Sequence, residues 1–216
     1  MEWLRGDLVI RSGVEVSAED IADGIALLEI SPEEKSMYSA ALIRYYKRNP
    51  SYFLIAFEKQ KAVGFFFCLP IATAYAEAWK GGAHDEAFDK LQFPDEAIVP
   101  LWFKGDHALL FEVIHVNKSA GLANSAIMYA LMQSFADLLI AQAKEGIFIN
   151  GFYADAFNEE GVQLGRILGL QKYRATPSGF LYITPGIPQK LLQFTAADRP
   201  QLQQLYAGYF SASGSR

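Results

Sequence analysis

Residues 116–126 read VNKSAGLANSA. They follow the apolar run HALLFEVIHV (107–116) and open the amphipathic stretch SAIMYALMQSFADLLIAQAKEG (125–146). A strand, a loop of small residues with a glycine, then a helix start is an order that builds anion sites. Exposed N–H groups and the positive end of the helix dipole both favour phosphate there. What flanks the loop decides which ligand it suits.

Upstream, DLVIR (7–11) alternates as a short strand does. Ser17, followed three residues later by Asp20, has the form of a capping box and opens a helix carrying Ile21, Ile25 and Leu28. Ser31 as N-cap, Pro32 at the first helical position and Glu33 and Glu34 after it start a second helix. It is expected to run to about Arg48, before Asn49 and Pro50, with Tyr38, Leu42 and Tyr45 on one stripe. YFLIAFE and KAVGFFFCLPI, joined at Lys59 and Gln60, read as an antiparallel hairpin. Its second strand is apolar on both faces and should lie centrally in a sheet. Between about Ala72 and Asp106 the pattern weakens, and this stretch reads as an insertion lying over the surface.

Downstream of the loop, Ile127, Leu131, Phe135, Leu138 and Leu139 line a helix that Gly146 ends. IFINGFYADAF is a further strand, and EEGVQLGRILG a short helix capped by Asn158 and closed by Gly169. LQKYRA and SGFLYIT form a last hairpin around Pro177, Ser178 and Gly179. The segment from Thr195 starts with a capping-box pattern and places Leu202, Leu205, Tyr206, Tyr209 and Phe210 at helical spacing. It should dock on the domain or on a second copy. The expected organisation is one mixed α/β (α+β) domain over residues 1–190, then a C-terminal helix and tail over 191–216.

Bulk properties narrow the class. At 216 residues, half of them hydrophobic, the chain has ample material for one core. The net charge of −5 argues against a nucleic-acid partner. A single cysteine, Cys68, excludes an intrachain disulfide framework and fits a reducing compartment. No signal peptide is read at the start, and the apolar segments read as too short or too interrupted to span a bilayer. The expectation is a cytoplasmic protein without a membrane partner.

Two patches then resemble the GNAT superfamily of acyl-coenzyme A N-acyltransferases. The family's pyrophosphate loop reads Gln/Arg-x-x-Gly-x-Gly/Ala between its fourth strand and third helix. Here the same place reads Lys118, Ser119, Ala120, Gly121, Leu122, Ala123, with lysine at the first position. The family often carries an asparagine after its fifth strand, a tyrosine seven residues later, and a leucine-glycine-phenylalanine closing the helix. This chain has Asn158, Gly165 and Leu168-Gly169-Leu170 at those places. The resemblance covers the second half of the chain; the first half agrees in element order. It implies a mixed central sheet flanked by helices, with an insertion at about 72–106 before the fourth strand.

The resemblance further implies acetyl-coenzyme A or a related acyl-coenzyme A as co-substrate and a small-molecule or peptide amine as acceptor; a homodimer is compatible with it. Residues 119–123 would offer N–H groups to the pyrophosphate, and Lys118 a point charge. Val113 and Ile114 match the backbone that takes the pantetheine arm as an added strand would. Asn158 matches the asparagine that contacts the same arm, and is equally a good helix cap.

An ammonium acceptor, with a pKa of about 10, needs a base. Glu112 and His115 are the nearest candidates, an odd number of residues apart and so on opposite faces of a regular strand. Glu112 inside an apolar strand needs a partner or water, and a structural ion pair is its alternative. The departing thiolate benefits from an acid, and Gly165 stands where the family commonly has that tyrosine. Tyr153 and Tyr173 offer other hydroxyls, with packing as their alternative role. Cys68 in an apolar strand reads as inert. Trp79, Phe88, Trp102 and Phe103 would wall the acceptor side unless they belong to the core. His84, His107 and His115 lack metal-ligand spacing. The leading expectation is N-acyl transfer to a primary amine. Its alternatives are a non-catalytic acyl-coenzyme A sensor or interaction module, and an unrelated α/β fold.

Overall fold

The structure, a computed structural model, describes residues 8–83, 85, 93–100, 104–117, 122–156, 159–185, 191–193 and 197–213. The chain forms two compact units, Met1–Leu69 with Val113–Phe135, and Pro70–Glu112 with Ala136–Arg216.

In the first unit β1 (Leu8–Ser12) pairs antiparallel with β2 (Phe53–Glu58), and β2 with β3 (Lys61–Ile71). The β2–β3 turn places Lys59 and Gln60 at φ of 48° and 67°. Two successive positive φ values match the twist of a two-residue hairpin, here without the usual glycine. α1 (Ala18–Ala26) and α2 (Pro32–Arg48) both start with complete capping boxes, at Ser17 with Asp20 and at Ser31 with Glu34. Asp20 is buried, and its carboxylate takes the Arg11 guanidinium and the Ser17 N–H, so the charge is paired.

Neighbouring residues of β2 and β3 face opposite sides. Phe53 meets Tyr46 of α2 edge-on at 5.4 Å and Phe67 at 4.4 Å. On the other face, Tyr52 and Phe66 contact Phe135 in the first part of α4 (Asn124–Lys144) at 6.1 and 4.9 Å. β3 is buried continuously from Val63 to Ile71, as its two-faced apolar sequence requires. The Asn117 N–H donates to the Val63 carbonyl at 2.8 Å, which sets the end of β4 (Gly105–Val116) against the start of β3.

In the second unit β4 runs parallel to β5 (Ile147–Ala156). β7 (Phe180–Pro185) pairs antiparallel with β5 and with β6 (Gln171–Ala175). β4 belongs to both units, and the strand order is β1-β2-β3-β4-β5-β7-β6. The result is the expected mixed sheet with flanking helices. Gly146 and Gly169, at φ of 82° and 77°, stop α4 and α5 (Glu159–Leu168) where the sequence places the stops.

Three expectations are corrected. The stretch between β3 and β4 is not a surface layer. α3 (Thr73–Lys80) buries Ala76 and Trp79 completely, and Phe93, Ala97 and Ile98 are core as well. Ile71 bridges Ile98, and the Ala72 N–H donates to Ala97 at 2.9 Å, so backbone pairing draws the segment into the fold. Phe88, Trp102 and Phe103 lie outside the described residues. The C-terminal helix, α6, spans Pro200–Ser213 and starts at proline rather than at Thr195, which lies outside the described residues. The Tyr206 hydroxyl accepts the Ile149 N–H at 3.0 Å, and Tyr209 stacks on Phe148 at 4.2 Å. That N–H lies where the β4–β5 register shifts, so the tyrosine satisfies a donor next to a bulge. Finally, α4 is long and apolar enough by length and composition to cross a membrane, and 56% of that stretch is buried inside the protein.

Candidate active site

β4 and β5 pair from Gly105 opposite Ile147 to Phe111 opposite Ala154. β4 then continues to Val116 and β5 to Ala156, with no further pairing between them among the described residues. Paired residues of a parallel ladder face the same side, so Glu112 and Asp155, the next residue on each strand, share the opposite side. Two carboxylates therefore stand together where the strands part. Glu112 is half-buried, and its carboxyl is pushed up to about 8, first by burial and then by the Asp155 charge.

Asp155 is held from the turn after β6. The Thr176 hydroxyl donates to its Oδ1 at 3.0 Å and the Ser178 hydroxyl to its Oδ2 at 3.1 Å. Two residues earlier on the same face, the Tyr153 hydroxyl donates to Glu77 Oε1 of α3 at 3.1 Å. Burial, followed by the Glu77 charge, pushes this phenol well above the usual tyrosine range. Its ring lies 6.1 Å from that of Trp79.

Arg174 of β6 closes the cluster. Through Leu181 of β7 it stands in the same row as Asp155. Its guanidinium donates to the Trp79 and Lys80 carbonyls at 2.6 and 3.2 Å and to both Asp85 carboxylate oxygens at 2.5 and 3.0 Å. The last carbonyls of α3, which have no partner within the helix, are capped in this way.

A separate groove of about 490 Å³ is lined by Asp137, Ile140, Lys144 and Arg199 among others. It shares no residue with the carboxylate cluster.

No family profile matches the chain, and no curated protein matches it. In fold it is similar to SsHAT, with 12% identity, 83% of this chain and 98% of that one covered, and a TM-score of 0.52. It is also similar to Ard1 from Thermoplasma volcanium (13%; 84% and 99%; TM-score 0.48). A third similar structure is the PaiA N-acetyltransferase of Thermoplasma acidophilum in complex with coenzyme A (12%; 82% and 98%; TM-score 0.42). The fold is the mixed sheet with flanking helices that the GNAT resemblance implies, and the likeness to SsHAT is one of fold.

The sequence-predicted residues fall into two groups. Glu112 and Tyr153 lie in the second unit, on one face of the sheet. Val113, Ile114, Leu122 and Ala123 lie in the first, with Val113, Ile114 and Leu122 half-buried and Ala123 exposed. Ala123 accepts the first N–H bonds of α4, from Ala126 and Ile127, and Asn124 and Ser125 at that helix start are exposed. Lys118, Ser119, Ala120, Gly121 and Asn158 lie outside the described residues. His115 is half-buried, His107 and Cys68 are buried, and Tyr173 is exposed under Lys80; His84 lies outside the described residues.

Gly165 is explained by its neighbour. A Cβ there would sit 3.3 Å from Cδ1 of Tyr182, whose buried ring fills the space beside the helix. The sequence reading missed Asp155, Glu77 and Arg174. The one signal for Asp155 was its even spacing from Tyr153, which puts both on one face of β5.

Proposed function

We propose that this protein transfers an acetyl or other acyl group from acyl-coenzyme A to a primary amine on a small molecule or peptide, by direct attack in a ternary complex. The observation that carries the reading is the place of Glu112, a proton-holding carboxyl at the point where two parallel strands of a GNAT fold part. In the molecules whose Glu112 has lost its proton, a fraction that grows as pH rises toward 8, the ammonium acceptor gives one proton to the Glu112 carboxylate. Its nitrogen then attacks the thioester carbonyl carbon, the C–S bond breaks, and the departing thiolate takes the nitrogen's second proton. Amide and free thiol form, and Glu112 returns its proton to solvent.

In this reading the peptide groups of Val113 and Ile114 take the pantetheine arm as an added strand would. Lys118, Ser119, Ala120, Gly121, Leu122 and Ala123 hold the pyrophosphate, and Asn158 contacts the arm. The carboxylates of Glu77, Glu112 and Asp155 suit a cationic acceptor. Tyr153, whose proton is committed to Glu77, supports α3 rather than protonating the thiolate.

Calorimetry with coenzyme A tests the cofactor half: no binding at millimolar cofactor removes the proposal. Thiol release against a panel of amines tests the reaction, and Glu112→Gln is expected to lower it by about a hundredfold or more. One observation favours a second reading, a non-catalytic acyl-coenzyme A sensor: Tyr182 occupies the space beside Gly165, where the resemblance expects an acid. Coenzyme A binding without thiol release from any amine selects that reading.

A further inference from the structure

We infer that Asp155 is a positioning residue for Glu112, clamped by the Thr176 and Ser178 hydroxyls so that the two carboxyls hold one proton between them and Glu112 carries it. The inference rests on the reading of Glu112 as the group that takes the amine proton. It adds a residue, and a way of setting that group's proton affinity, that neither the loop nor the strand pattern contains.

The geometry is specific to the end of the ladder. Glu112 and Asp155 follow the last paired residues, Phe111 and Ala154, and face the same side. Asp155 is the member to which described side chains donate. Thr176 Oγ1 gives its proton to Oδ1 and accepts the Gly179 N–H at 3.0 Å, so the amide fixes which way the hydroxyl points. The Thr176 N–H in turn donates to the Gly179 carbonyl at 3.0 Å, closing the turn on itself. Ser178 Oγ serves Oδ2. A carboxylate that accepts two hydroxyl protons in a closed turn is favoured in its charged form. A carboxyl beside that charge, and partly out of water, is favoured in its neutral form.

The other charged groups described around the pair act in keeping with this ordering. Tyr153 on β5 is neutral and turned to Glu77. Glu77 on α3 adds negative charge, which acts in the same direction as Asp155. Arg174 on β6 has its guanidinium bound to Asp85 and to the Trp79, Lys80 and Ala175 carbonyls, and its charge favours the charged form of Asp155. β7 contributes Leu181 to this row.

The consequence is chemical. A Glu112 that binds its proton about as tightly as a free thiol does, near 8.5, is matched to take a proton from an amine at neutral to mildly basic pH. An ordinary glutamate, near 4.3, would be too weak a base.

The test is a carbon-13 NMR titration of the side-chain carboxyls, with Glu112→Gln and Asp155→Asn assigning the two signals. It needs neither acyl-coenzyme A nor turnover, so its outcome is separate from that of the transfer assay. In the unaltered protein Glu112 is expected to titrate at about 8. In Asp155→Asn its midpoint falls by about one pH unit or more, a tenfold loss of proton affinity. An unmoved midpoint overturns the inference, because a merely structural aspartate would leave it where it was. Thr176→Val combined with Ser178→Ala keeps the charge and removes the clamp, and keeps the question open to test if Asp155→Asn does not fold. The Asp155 signal is then expected to move together with that of Glu112 through the same titration, as the proton is shared between them, whereas an Asp155 signal that stays still there rejects the clamp.

Discussion

The Tyr153 hydroxyl donates to Glu77 Oε1 across 3.1 Å, joining the buried face of β5 to the exposed side of α3. A phenol so engaged, and pushed above its usual range, is a poor acid for a departing thiolate. Its removal is therefore expected to show in stability more than in rate. Tyr153→Phe should cost about 1 kcal/mol, since the partner carboxylate is half in water. Thiol release should stay within about threefold of the parent. Urea denaturation and a steady-state assay read the two effects, and a hundredfold fall in kcat would return Tyr153 to the role of acid.

Glu112 makes stability depend on pH in a stated direction. Its folded value of about 8 lies above the ordinary 4.5, so the folded protein binds this proton more tightly than the unfolded chain. The protein is then most secure, as far as this group is concerned, below about 4.5. It loses stability as pH rises through about 8 and loses no more beyond. Glu112→Gln carries no such proton. Its stability relative to the parent should improve from pH 5 to about pH 8, by roughly 2–4 kcal/mol in all, and then level off. Melting temperatures of the pair across that range decide it; a constant difference would mean that the carboxyl titrates as an ordinary one.

How far the sequence could be read depended on whether the signal was local. The α2 boundaries came from Ser31, Pro32 and Asn49, each acting on its own neighbours, and the structure places them there. The turn at Lys59 and Gln60 followed from two apolar runs with two polar residues between them. The capping-box pattern at Thr195 points to an early helix start, whereas residues 197–199 are not helical and α6 begins at Pro200, a good first residue. For Trp79 the sequence leaves both an acceptor-side wall and the core open, and its burial against Tyr153 of β5 decides for the core, a contact made only in the folded chain. Glu112 stood out as a charge in an apolar strand, while Asp155 did not. Its importance comes from the β4–β5 register and from hydroxyls beyond β6, which meet it only in the folded chain.

Gly165 marks the departure from the resemblance, and Tyr182 gives the reason. Gly165→Tyr should not install an acid. Its ring would have to displace a buried tyrosine, at a cost on the order of 1–3 kcal/mol. Thiol release is expected to stay at or below that of the parent. Gly165→Ala is milder, because a helix gains about 1 kcal/mol from alanine over glycine while the Tyr182 ring yields a few tenths of an ångström. Thermal melts of the two variants should rank alanine above tyrosine; the reverse order would mean that Tyr182 moves aside freely.

Arg174 is the residue whose loss should disturb the cluster most without touching a reacting atom. One guanidinium caps the end of α3 through Trp79 and Lys80 and grips Asp85 with two nitrogens. Both side chains are largely shielded, at 22% and 19% exposure, so water replaces these bonds poorly. Arg174→Ala should therefore cost about 2–4 kcal/mol. Arg174→Lys should recover only part of that, because a single ammonium cannot serve the carbonyls and the carboxylate with the same fork. Asp85→Asn leaves the carbonyl bonds in place and should cost less than Arg174→Ala. The double variant should cost less than the two single changes added together, since both remove the same ion pair. Chemical denaturation of the four proteins gives the cycle directly. If the effects of Arg174→Ala and Asp85→Asn simply add, the two side chains are not coupled.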